Sequence, residues 1–132
     1  MLLERASRVF KEQRIESYTT DVLLTRVSML LRQTYVLVGF QTPDENDLAI
    51  ITAKLTSDLF ESYRYLTCGE VSLCFELGAK GEYGEFMGLN MRTFTRWLKA
   101  YKTSDFRYRL VVDREQKRQA ALPPVSEAYN RE

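Results

Sequence analysis

The most specific chemistry in this sequence lies between Arg92 and Lys99. Arg92, Thr95, Arg96 and Lys99 recur at spacings of three, one and three, which places them on one side of a helix. A guanidinium is a planar fork that can bond two acceptors at once, on a phosphate or on the edge of a guanine. Thr95 adds a hydroxyl and a methyl that can meet a base, and Lys99 adds a point charge. Asn90 just ahead of these residues, and Lys102 and Arg107 just behind, are placed to meet phosphates, which fix position without reading sequence. The chemistry on offer is recognition of a polyanion. The same spacing also describes the wet side of any amphipathic helix, so the distribution of charge has to decide between the two.

That distribution is uneven. Residues 90–118 hold nine Lys or Arg against three Asp or Glu, whereas residues 41–89 hold three against nine, in a chain of net charge +1. Basic residues continue beyond the helix as Lys102, Arg107, Arg109, Arg114, Lys117 and Arg118. The pattern predicts an acidic face and a basic face, the second a footprint for a polyanion and the first a docking surface for a protein.

Catalysis has little to work with. The absence of histidine removes the commonest general base, the Ser-His and Cys-His pairs and most zinc sites. Cys68 and Cys74 are expected to be reduced, buried thiols. Glu70, Glu76, Glu82 and Glu85 show no acid-base or metal-ligand spacing, and a surface role is expected for them. Gly78 to Gly84 lacks the Gly-Lys-Ser/Thr ending of a phosphate loop and follows a helix where a strand is required. We therefore expect no enzyme, cofactor, metal or small-molecule ligand. Glu4 and Arg5 come too early for a secretory signal, and Arg26 and Arg32 interrupt the apolar run from Val22 to Phe40. A cytoplasmic protein without a membrane span is expected.

The elements that must position these residues read as helices. With 132 residues, 45% of them apolar, the chain can bury a core without metal or disulfide support, and six glycines and three prolines leave few turns. Leu3, Ala6 and Phe10 mark a first helix over residues 2–16. Thr20 or Asp21 caps a second, which Gly39 ends; its apolar residues cover much of the circumference, which predicts a central position. Thr42-Pro43-Asp44 opens a third, carried by Leu48, Ile51, Leu55, Leu59, Tyr63 and Leu66. Thr67 and Glu70 have the spacing of a capping box for a fourth, ended by Gly78. Phe106 to Val112 alternates as a strand would, but the following residues favour a last helix from Ser104 or Asp105 to about Ala121.

Between these lies Gly81 to Tyr101. Gly84 offers a small residue where one short helix could meet the next, Gly88 a left-handed turn, and Asn90 a cap. Tyr83, Met87, Leu89, Phe94 and Trp97 would face the core. With Gly88-Leu89-Asn90 followed by Thr93-Phe94-Thr95-Arg96-Trp97-Leu98-Lys99, the segment resembles the helix-turn-helix family of DNA-binding proteins over some twenty residues. The resemblance implies that the second helix enters the major groove, with Arg92, Thr95, Arg96 and Lys99 toward the bases. It departs from the family in its glycines, Gly81 and Gly84, within the supposed first helix, which can be reduced to one turn or a loop.

The sequence thus predicts an all-α protein: a single compact bundle of five to seven helices over residues 1–121, a helix-turn-helix-like unit at 80–101, and a flexible tail at 122–132. The expected function is non-enzymatic binding of duplex DNA, alone or as a homodimer or with a protein partner. The alternative is a protein–protein adaptor. In size, helicity and split charge the chain is similar to small replication accessory proteins of phages and mobile elements, including helicase loaders.

Overall fold

Four helix starts are fixed by side-chain caps. Thr19 accepts from the Val22 amide at 3.4 Å, Asp44 from Asp47 at 2.8 Å and Asn90 from Thr93 at 3.2 Å. Thr67 and Glu70 close the capping box in both directions, at 3.0 and 3.1 Å. Each cap satisfies amide donors that the first turn leaves unpaired. In the computed structural model, which describes residues 2–122, these starts belong to a bundle of six helices. They are α1 (Leu2–Phe10), α2 (Thr20–Val38), α3 (Glu45–Ser62), α4 (Cys68–Ala79), α5 (Met91–Lys102) and α6 (Asp105–Ala121). A 3-10 turn, Ile15–Ser17, separates α1 from α2, and the described residues contain no strand. Phe106 to Val112 is helical. The expected tail lies, from Pro123 onward, outside the described residues.

Three boundaries differ from expectation for local reasons. The first helix stops at Phe10 instead of residue 16. The Thr67 hydroxyl donates to the Val9 carbonyl at 2.6 Å, and the Ile15 amide donates to Leu66 at 2.7 Å. The chain after α1 is thus drawn out against the segment preceding α4. The third helix ends at Ser62, four residues short of Leu66, although Tyr63 and Leu66 remain buried. Gly39 does end α2, with a φ of 76°. Gly78 does not end α4; it is a buried residue within it.

The central helix is α4, not α2. Seven of its twelve residues are buried, and it packs on α1, α2 and α5. Phe75 of α4 stacks on Phe94 of α5 at 5.2 Å and meets Trp97 edge-on at 5.6 Å. Gly78 lies directly under the Trp97 ring. The second helix buries Leu23, Val27, Leu31, Thr34 and Tyr35, but its other side carries Val22, Met29, Val36 and Leu37 exposed. Apolar residues around a helix do not make it central when the bundle supplies neighbours on one side only. No helix among the described residues is long and apolar enough to cross a membrane.

Candidate nucleic-acid interface

The fifth helix is two-sided. Thr93, Phe94, Trp97, Leu98 and Tyr101 are buried, and this inner side anchors the helix on α4. Arg92, Arg96 and Lys99 are exposed and Thr95 is half-buried at the seam. Together with Met91 they line a shallow groove of about 500 Å³ whose other wall is Lys54 and Asp58 of α3. The groove therefore gathers four cations and one carboxylate, and Lys54 already pairs with that carboxylate at 3.3 Å. Among the described residues neither Arg92 nor Lys99 forms an ion pair.

The other expected contacts divide. Asn90 is exposed, but its side-chain oxygen is occupied by the Thr93 amide, so it serves α5 first. Arg96 donates from one guanidinium nitrogen to the Glu85 carbonyl at 2.7 Å, tying the preceding loop to α5. Lys102 is exposed, with its ammonium 5.8 Å from the centre of the Tyr63 ring. Arg107 is a correction: it is 6% exposed and bonds Glu70 at 2.8 Å, so it cannot meet a phosphate. An arginine beside Phe106 and three and four residues before Leu110 and Val111 sits on the apolar side of α6. That placement was the available sign that it would be buried.

Glu70 corrects the expectation of a surface role. Its carboxylate is fully buried and accepts from the Thr67 amide, the Tyr101 hydroxyl at 2.9 Å and Arg107. Burial, followed by the neighbouring Glu70 charge, pushes the Tyr101 hydroxyl well above its ordinary range. The Arg107 guanidinium lies 5.4 and 5.3 Å from the Phe10 and Tyr65 ring centres. One carboxylate thus joins α4, α5 and α6, and this arrangement needs no ligand to satisfy it.

Most basic residues of α6 are already engaged, while Arg109 is exposed and forms no ion pair among the described residues. Lys117 pairs with Asp113 and Arg118 with Glu115, each within one turn, and Arg114 lies 4.6 Å from the centre of the Phe10 ring. Lys54 and Asp58, by contrast, join the site without any sequence signal, because the meeting of α3 with α5 is long-range.

The turn expected to deliver α5 is built differently. No helix forms between Lys80 and Asn90, so α4 and α5 are joined by eleven residues. Gly81 and Gly84 have φ of 84° and 98°, backbone that a helix cannot contain, whereas Gly88, the expected left-handed residue, has none. Gly84 approaches no neighbouring helix, since a Cβ there would meet nothing within 4 Å. A helix-turn-helix joins its helices by three or four residues. Of the motif, the capped second helix is present and the short first helix is not. Met87, expected to face inward, is exposed.

Comparison with protein-family models, with curated proteins and with solved structures finds no match to this chain.

Proposed function

We propose that this protein binds duplex DNA through the outer face of α5, holding phosphates more than reading bases. The observation that carries this reading is the convergence of Arg92, Arg96 and Lys99 with Lys54 on one groove. Arg92 and Lys99 have no carboxylate partner among the described residues. A helix with its side chains is about 10–12 Å across and the major groove is about 12 Å wide, so α5 matches that groove in breadth. Without a short helix ahead of it, α5 lacks the brace that sets a recognition helix deep among base edges. Phosphate contact is the chemistry that remains, and it is largely independent of sequence.

The test is a band-shift titration with random duplex at about 50 mM salt, where non-specific affinities of micromolar order are measurable. A shift with wild-type protein, lost in the Arg92→Ala, Lys99→Ala double variant at unchanged helicity, is expected. Absence of a wild-type shift at micromolar protein overturns the reading, and so does an undiminished shift in the double variant.

A further inference from the structure

We infer that the recess between the end of α1 and the middle of α6 binds a phosphate group, held by Lys11, Arg14 and Arg114. The recess has a volume of about 370 Å³, at the small end of ligand pockets, and Phe10 and Leu110 supply its apolar lining. Four cations and two carboxylates border it, but neither carboxylate is free to serve the three cations named. Asp113 is taken by Lys117 at 3.1 Å. Glu12 turns instead to the start of α4, where a Cβ on Gly69 would fall 2.3 Å from its carboxylate oxygen. A carboxylate is well placed there, because the first turn of a helix carries partial positive charge.

The three cations have little else to neutralise them. Lys11 and Arg114 form no ion pair among the described residues, and Arg14 has only Glu16, at 3.7 Å. The Arg114 guanidinium lies 4.6 Å from the centre of the Phe10 ring, a contact that uses none of its N–H donors. Burial lowers the Arg114 pKa, and the neighbouring charges of Arg14 and Arg107 lower it further. Like charges gathered this closely favour an anion among them. The backbone fixes Arg14 beside the recess: it bridges Thr67, and the next amide, Ile15, donates to Leu66 at 2.7 Å. Two guanidinium forks and an ammonium offer more donors and charge than one carboxylate can use. A phosphate ester brings three acceptor oxygens and close to two charges. The recess is too small for a helix, which is about 10–12 Å across with its side chains, and it shares no residue with the groove on α5.

An amide NMR titration of isotope-labelled protein tests the site, with ionic strength held constant by sodium chloride. Inorganic phosphate is the first probe and adenosine monophosphate the second. Saturable shifts should centre on residues 7–14 and 110–117, with half-saturation at about 1 mM or below. Lys11→Ala and Arg14→Ala should each weaken binding about tenfold, the worth of one charged hydrogen bond. Both residues are exposed, and a dispersed spectrum verifies that each variant is folded. Tighter binding of adenosine monophosphate identifies the ligand as a phosphate ester, whereas equal or weaker binding identifies free phosphate. No saturable shift by about 10 mM of either probe overturns the inference. Shifts centred on residues 91–99, or variants that bind as the wild type does, overturn it too.

Discussion

Gly78 and Trp97 fix how closely α4 and α5 approach: a Cβ at Gly78 would fall 2.2 Å from the Trp97 ring, which is itself fully buried. Phe86 closes the far side of the indole at 5.2 Å, edge-on, and Phe94 lies 5.9 Å away on the same helix. The ring is thus packed by Phe75, Phe86 and Phe94 and fully buried. Glycine inside a helix costs about 1 kcal/mol against alanine, so its presence here reflects packing and not helix formation.

Gly78→Ala should accordingly destabilise, against the direction that helix propensity alone predicts. Overpacking of this kind costs about 1–3 kcal/mol, and urea denaturation of the variant measures it. Trp97→Phe in the same chain should recover part of the loss by shortening the ring. An alanine variant as stable as wild type would mean that the two helices can separate freely.

Arg107→Ala should be among the most damaging single changes. It strands the Glu70 carboxylate in the interior, and breaking a buried pair by removing one partner costs about 3–5 kcal/mol. The double variant Arg107→Ala, Glu70→Gln removes the stranded charge while an amide oxygen can still accept from Tyr101. It should be more stable than Arg107→Ala alone. Equal losses in the two variants would assign the cost to packing against Phe10 and Tyr65 instead.

Alkaline pH should weaken the fold. Burial raises the Cys74 thiol above its ordinary 9.0, and the Tyr83 and Tyr101 hydroxyls above 10.0. The folded chain keeps these protons where the unfolded chain releases them. Their contribution is therefore complete below about pH 8, begins to decline as pH passes the unfolded thiol value, and falls further toward the folded values. Each group ionised only in the unfolded chain contributes a slope of about 1.4 kcal/mol per pH unit. Urea midpoints at pH 8, 9 and 10 report the decline. Cys74→Ala, though less stable overall, should show a shallower fall between pH 9 and 10.

If α5 holds phosphates, its affinity for duplex should fall steeply with salt. Four cations in contact give a slope of log K against log salt near −3.6, and Lys99→Ala should reduce that slope by about one. Arg107→Lys should leave the slope unchanged, because Arg107 is inside the protein.

The helix starts were legible in the sequence because a cap is a local event. Thr67 and Asn90 each act on an amide three residues ahead, as expected. The cap of α2 is Thr19, one residue before the expected Thr20, and α3 is capped by Asp44, which leaves Pro43 ahead of the helix and not at its first position. The two-sided character of α5 was equally legible, since helical periodicity separates Phe94, Trp97 and Leu98 from Arg92, Arg96 and Lys99. Long-range partners were not legible. Arg107 reads as a free cation until Glu70, thirty-seven residues earlier, is brought beside it. Gly78 reads as a helix stop until Trp97 covers it. The stretch from Lys80 to Asn90 carries the residues of a turn, but its positive-φ positions fall at Gly81 and Gly84 and not at Gly88. Composition gives the glycines; only the assembled chain decides which of them turns.

The order in which the chain is made bears on Glu70. It leaves the ribosome before either Tyr101 or Arg107, so during synthesis its carboxylate has only Thr67, its own cap, as a protein partner. Water serves it until α6 arrives. Closure of α6 then removes the charge from solvent and supplies its counter-ion in one event. A nascent chain halted before Phe106 should therefore hold α4 ajar, sensitive to protease, and should become resistant only when the seventeen residues of α6 have cleared the exit tunnel.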